Sequence, residues 1–180
     1  KGIRGNNFNL WLEALDVEPE ANLIQNCVRV YRDHHPILSP YDDVIPILNV
    51  LKPDHKIGLL SDGYLSVQQK KFNALGLSEF FDATIFSDEF GRDAWKPSII
   101  PFQHILDRLG VEAHQAVYIG DNPKKDFFGA NQLGMKTVWI RRSHGEYVNQ
   151  PLPGQAYEPH ETITTLAQIE TLSSMFYTQK

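Results

Sequence analysis

Apolar positions along the chain repeat with two different periods, and the change between them falls near Lys56. Up to that point the spacing is helical. Asn6 or Asn7 can cap a helix through Leu15 with Phe8, Trp11, Leu12 and Leu15 on one face, and Pro19-Glu20 opens a second carrying Leu23, Ile24, Cys27, Val28 and Tyr31. Together these predict half of a small helical layer, with Cys27 in its core. Tyr31 to Pro36 ends the layer, Ser39-Pro40-Tyr41 makes a turn, and Asp42 to Leu51 predicts a third helix.

Beyond Lys56 short apolar runs alternate with amphipathic stripes. Lys56 to Leu60 reads as a buried strand ending in Ser61-Asp62-Gly63, and Leu65 to Leu75 as a helix closed by Gly76. Asp82 to Ser87 is a second strand, followed by a loop from Asp88 to Pro97. Ser98 then caps a helix whose stripe is Ile99, Phe102, Ile105, Leu106 and Leu109, and Gly110 ends it. A third strand, Ala116 to Ile119, stops at Gly120, and Pro123 suits the first turn of the helix that follows. Lys136 to Ile140 is a last strand. The Pro- and Gly-rich stretch from Ser143 to Pro159 reads as loop, and a final helix is expected from about Ile163 to Met175. Alternating strands and helices imply right-handed crossovers and an α/β fold, a parallel sheet with helices on both faces.

Composition narrows the functional classes. A hydrophobic share of 42% with 22% charged residues belongs to an ordered globular protein, and 180 residues suffice for one domain with a small appendage. The formal net charge of −5 disfavours nucleic acid or an anionic membrane as the main partner, because both reward a basic face. A single cysteine excludes an internal disulfide and fits a reducing compartment, so a cytoplasmic location is expected. No apolar stretch approaches the roughly 18 to 20 residues of a membrane span, and no apolar run marks a signal peptide at the start. Neighbouring residues on a helix do not face one another, so His34 and His35 read as a surface turn rather than metal ligands.

Candidate chemistry gathers at the ends of three strands. Asp121 follows the third strand and Asp126 lies five residues on, so a single turn brings two carboxylates to one rim. One or two carboxylates with water and a substrate phosphate are the usual way to hold Mg²⁺. The same residues also suit a helix cap and a first-turn acid that complements the helix dipole. Ser61 and Lys96 stand after the first and second strands; taken singly, one is a turn former and the other a solvated cation. Read jointly with the two acids they make an anion site: a hydroxyl and backbone N–H groups for phosphate oxygens, a fixed cation, and carboxylates for Mg²⁺. The sequence contains no G-x-S-x-G, no G-x-x-x-x-G-K-[ST] and no G-x-G-x-x-G.

At these residues the chain resembles the haloacid dehalogenase superfamily. Leu60-Ser61-Asp62-Gly63, Trp95-Lys96-Pro97 and Gly120-Asp121-Asn122-Pro123-Lys124-Lys125-Asp126 look like its second, third and fourth motifs. The resemblance covers nearly all of residues 1–142 and points to the mostly phosphatase branch with a helical cap. It implies a three-layer Rossmann-like core at 41–180 and the second half of the cap at 1–40. It also implies that Ser61, Asp62, Gly63 and Lys96 receive the phosphoryl group, that Asp121 binds Mg²⁺, and that Asp126 acts as a second ligand or orients Lys96. The chemistry implied is hydrolysis of a small phosphorylated metabolite through an aspartyl-phosphate.

One departure stands out: the family's first motif, Asp-x-Asp, supplies the nucleophile, and no Asp-x-Asp occurs in this sequence. The strand that carries it would lie between those ending in Ser61 and Gly120. Without it these neighbours would stand about 9 to 10 Å apart, twice the normal spacing. The expectation is therefore a chain that lacks roughly 40 residues of an ordinary phosphatase, at typical element lengths, and that is inactive by itself. The alternatives are a pseudoenzyme or subunit that binds phosphate or a partner, a homo-oligomer that exchanges strands, and a haloacid dehalogenase.

Overall fold

The computed structural model describes residues 6–176, and side chains through residue 172. Two compact units divide between Ile37 and Leu38. In the first, α1 (Asn7–Glu13) and α2 (Ala21–Asp33) pair, with Phe8 and Tyr31 edge to face at 6.1 Å. α1 ends before the predicted Leu15 because the chain turns off: Leu15 and Val17 both donate N–H to the Leu12 carbonyl, and Asp16 takes a left-handed φ of 56°. Leu12 is buried, whereas Trp11 and Leu15 are each more than half exposed. Cys27, expected in the core, is only partly covered.

In the second unit α3 (Val44–Leu51) precedes β1 (Gly58–Ser61), α4 (Leu65–Leu75), β2 (Ala83–Phe86) and α5 (Ile100–Leu109). After these come β3 (Val117–Gly120), α6 (Phe128–Leu133), β4 (Lys136–Ile140), β5 (Glu161–Ile163) and α7 (Ile169–Phe176). Gly76 and Gly110 end α4 and α5 with φ of 64° and 62°, a conformation that costs glycine least. β1 begins later than predicted because Ile57 is engaged ahead of the ladder: its N–H donates to the Asp82 carboxylate at 2.7 Å, and its carbonyl accepts from Asp82 at 2.8 Å. α5 begins later as well, with Pro101 in its first turn, and the Ser98 hydroxyl receives the Ile100 N–H only at 3.4 Å.

Among the described residues every strand pair is parallel, but the strands form two sheets: β1 with β2, and β3 with β4 and β5. Phe102 of α5, fully buried, packs with Leu106, Ala130 and Met135, and its ring meets that of Tyr118 edge to face at 4.9 Å. No helix among the described residues is long and apolar enough to cross a membrane.

β5 corrects the reading of the tail. It is short and polar, and pairing with β4 makes it a strand: Val138 stands opposite Glu161 and Ile140 opposite Ile163. Asn131 reinforces it by donating to the carbonyls of Ala156 and Glu158. α7 starts at Ile169 rather than near Ile163 because a capping box between Thr165 and Gln168 first closes a 3₁₀ turn. Asp43 ties this segment down, accepting both ends of the Arg142 guanidinium at 3.0 and 2.8 Å and the Leu166 N–H at 2.8 Å. Arg142 beside it holds the Asp43 carboxyl below the usual carboxylate range.

The Thr137 N–H donates to His160 Nδ1 at 3.1 Å, a bond that needs the neutral ring. Burial first, and then Lys136, hold His160 below the usual histidine value, with Glu161 opposing. Because the folded state disfavours the proton, this stability is present above about pH 6.5 and is lost as pH falls through the folded value. Denaturant midpoints of the wild type should therefore drop more between pH 7 and 5 than those of His160→Gln; equal drops would remove this role.

Candidate functional site

The carboxyl ends of β1 and β3 are joined through one residue, Lys96. Two 3₁₀ turns, Ser87–Phe90 and Arg92–Ala94, carry the chain from β2 to it, and the Lys96-Pro97 peptide is cis. Its backbone N–H donates to Asp62 Oδ1 at 2.9 Å, just past β1. Its Nζ reaches the other way, to Asp126 Oδ1 at 2.6 Å and the Tyr118 hydroxyl at 2.9 Å. An ammonium has three N–H donors, so one is left without a protein acceptor among the described residues.

Burial alone would push the Lys96 ammonium toward its neutral form, but attraction to the Tyr118 oxygen and the Asp126 carboxylate, with a hydrogen bond to each, overrides it and holds the value up. Burial and the Asp126 charge hold the Tyr118 phenol up too, so it stays neutral and accepts the bond. The side chains of Lys96 and Asp126 are 9% and 4% exposed, so their attraction is little screened by water.

Asp126 is held from both sides. Its Oδ2 accepts the Asn122 N–H at 2.8 Å, while the Asn122 carbonyl accepts the N–H groups of Lys125 and Asp126 at 3.0 and 2.9 Å. This closed turn corrects the helix expected from Pro123: the bonds run back to Asn122 and α6 begins only at Phe128. The turn also requires Gly120, since a Cβ there would lie 2.5 Å from Asp126 Oδ2 and 2.6 Å from its Cβ.

Asp62 does different work from a ligand. Its Oδ1 accepts from Ser87 Oγ at 2.8 Å as well as from Lys96, and its Oδ2 pairs with Lys125, so the carboxylate ties three loops together. Asp88 adds a second tie, capping the first N–H of α4 at Leu65 and holding the Trp95 indole, both at 2.9 Å. Ser61 Oγ, at the end of β1, donates to Gln68 Oε1 at 3.0 Å.

Asp121 is the rim acid that remains open to solvent; its backbone carbonyl accepts the Trp139 indole N–H at 3.0 Å. Partial burial and the neighbouring Asp126 charge push its carboxyl above the usual range, with Lys96 opposing. No group of three or more His, Cys, Asp or Glu side chains among the described residues could hold a metal. A cation here would rest on Asp121, with Asp126 behind it, and would take its other ligands from solvent and substrate, as Mg²⁺ commonly does.

Of the residues expected from sequence, Asp62, Lys96 and Asp126 form one bonded chain; Ser61 and Gly63 flank Asp62, and Asp121 stands at the start of the turn that holds Asp126. Tyr118, Lys125 and Gln68 were missed. A tyrosine in an otherwise aliphatic strand was the available signal for Tyr118, because its hydroxyl needs a buried partner.

Residues 3–140 match the family of haloacid dehalogenase-like hydrolases. The chain is 39% identical over 143 residues to a glyceraldehyde 3-phosphate phosphatase of Methanopyrus kandleri, covering 78% of this chain and 60% of the relative. It is 30% identical over 170 residues to a mouse N-acylneuraminate-9-phosphatase, covering 90% of this chain and 65% of the relative. The crystal structure of a HAD phosphatase from Thermococcus onnurineus superposes with a TM-score of 0.62 at 27% identity, covering 92% of this chain and 69% of that one. The chain thus spans about 60 to 70% of the length of these proteins. The strand-end constellation and these likenesses agree, and the chain belongs to the haloacid dehalogenase-like hydrolases.

Proposed function

We propose that this chain carries the magnesium- and phosphoryl-binding part of a phosphatase acting on a small phosphorylated metabolite. The observation that carries the reading is the buried Lys96 ammonium, fixed between Asp126 and Tyr118 with one donor to spare, beside the open carboxylate of Asp121. Lys96 neutralises a phosphoryl oxygen, and Ser61 turns its hydroxyl from Gln68 to another. Backbone N–H groups of Asp62 and Gly63 line the same loop. Asp121 holds Mg²⁺, while Asp126, both of whose oxygens are already bonded, orients Lys96. Bound Mg²⁺ would supply positive charge to the phosphoryl oxygens. The nucleophilic carboxylate of an aspartyl-phosphate route is not provided by an Asp-x-Asp in these 180 residues. The relatives named as phosphatases of glyceraldehyde 3-phosphate and of N-acylneuraminate 9-phosphate support a small phosphate ester as substrate. Residues 1–40 belong in this reading to a helical cap.

Titration calorimetry tests it: the 180-residue chain should bind inorganic phosphate in the presence of Mg²⁺, and Lys96→Met should weaken that binding at least tenfold. It should not hydrolyse p-nitrophenyl phosphate; turnover by protein of confirmed intact mass would show that a nucleophile is present after all.

The Asp121 carboxyl offers a second check. Its folded value is raised, so its ionised form opposes folding; the opposition appears as pH rises above about 4 and is complete above the folded value. Asp121→Asn should therefore raise the neutral-pH Tm by a few °C, on the order of 1 to 3 °C, and remove the further rise that millimolar Mg²⁺ gives the wild type. A Mg²⁺ shift that survives in the variant would place the cation elsewhere.

A further inference from the structure

Asp62 puts a carboxylate beside the very loop, Ser61 to Gly63, that is proposed to receive the phosphoryl oxygens. Its side chain is only 5% exposed, so water screens the charge little. What the fold takes from it is a hydrogen-bond acceptor: Oδ1 accepts the Ser87 hydroxyl at 2.8 Å and the Lys96 N–H at 2.9 Å. Both donors are neutral groups, and an amide oxygen could accept from both. The formal charge is thus not needed for the tie, and it is met at the other oxygen, where Oδ2 pairs with the Lys125 ammonium. Among the described residues no other side-chain cation is bonded to Asp62.

Lys125 is fixed for this contact at both ends. Its backbone N–H donates to the Asn122 carbonyl at 3.0 Å, inside the turn that also holds Asp126. Its Nζ lies 5.7 Å from the centre of the Trp95 ring, within cation–π range, and Trp95 is anchored by its indole N–H on Asp88. The side chain is 21% exposed, so the pair as a whole sits mostly out of water.

We propose that Lys125 is a positioning residue that sets the phosphate affinity of the site by cancelling the charge of Asp62, without touching the substrate itself. The inference rests on the phosphoryl-site reading of Ser61 to Gly63 and Lys96. Electrostatics give it a sign. With the pair intact, an incoming phosphate feels Lys96, and Mg²⁺ when bound, against a loop whose own charges are balanced. Without Lys125 a bare carboxylate faces the anion in a poorly screened interior; without the charge of Asp62 an unmatched ammonium stands there instead. The two losses therefore push affinity in opposite directions, and made together they offset one another. A lysine that bound the phosphoryl group directly would behave otherwise, since its loss would weaken binding whether or not Asp62 kept its charge. A lysine that only braced the loops would give weaker binding on either loss.

A double-mutant cycle on the 180-residue chain, read by titration calorimetry with inorganic phosphate in saturating Mg²⁺, is the test. Lys125→Met should weaken phosphate binding roughly fivefold, and Asp62→Asn, which keeps the Oδ1 acceptor, should tighten it about threefold. The double variant should fall between the two, recovering most of the loss. Circular dichroism and thermal melts establish which variants are folded. If Lys125→Met, which strands a buried charge, does not fold, the gain in Asp62→Asn and its disappearance in the double variant carry the test. Weaker binding by folded Asp62→Asn, a double variant no tighter than Lys125→Met, or one that keeps the whole gain would overturn the inference while leaving the phosphoryl site in place. A wild-type chain that binds no phosphate would overturn that reading, and this inference with it.

Discussion

A buried positive charge, the Lys96 ammonium, is what the functional edge of this domain is built around. Burial by itself would strip the proton, and the bonds to Asp126 and Tyr118 keep it in place. Asp126 can do this only because Asn122 clamps its second oxygen and Gly120 leaves room for it. The backbone of the same lysine is held by Asp62, so one residue links the loops after β1, β2 and β3. Losing one member of such a pair leaves an uncompensated charge in the interior, about 3 to 5 kcal/mol in comparable cases.

Charge balance then explains what the site invites. Lys96 is matched by Asp126 and Lys125 by Asp62, leaving Asp121 without a cationic partner among the described residues, and Glu146 adds to the negative field it feels. In the proposed reading a hard divalent cation would satisfy that excess, and its second charge would favour an anion beside the spare donor of Lys96. The two structural ties, at Asp62 and Asp88, have no such surplus; their oxygens are consumed in holding loops and the start of α4.

Much of the framework was legible as pattern. The spans of α4 and β4 appear where the apolar periods place them, because each has strong local signals at both ends, Gly76 and Gly134 among them. That Ser61, Lys96, Asp121 and Asp126 stand at or beyond strand ends was legible too, since the strands before them have clear patterns, and the carboxyl edge of an α/β sheet is where such folds bind ligands. The turn at Asn122–Asp126 was read as helix because Pro123 and the acids suit both. Its closing bonds involve side chains whose positions depend on Lys96, thirty residues away in sequence. β5 was missed for a similar reason: Glu161-Thr162-Ile163 has no strand pattern of its own and gains one only from the exposed edge of β4.

The sequence by itself determined the α/β class, the order of elements and the residue types at the strand ends, because these follow from local periodicity and local turn chemistry. Tertiary structure alone decided which acid is left open and which is consumed, Asp121 or Asp126, since that depends on which cation reaches which oxygen. It also decided that β5 extends the sheet of β3 and β4, because pairing in a sheet is a relation between distant segments that no single stretch encodes, whereas the separation of β1 from β3 was already expected from the resemblance.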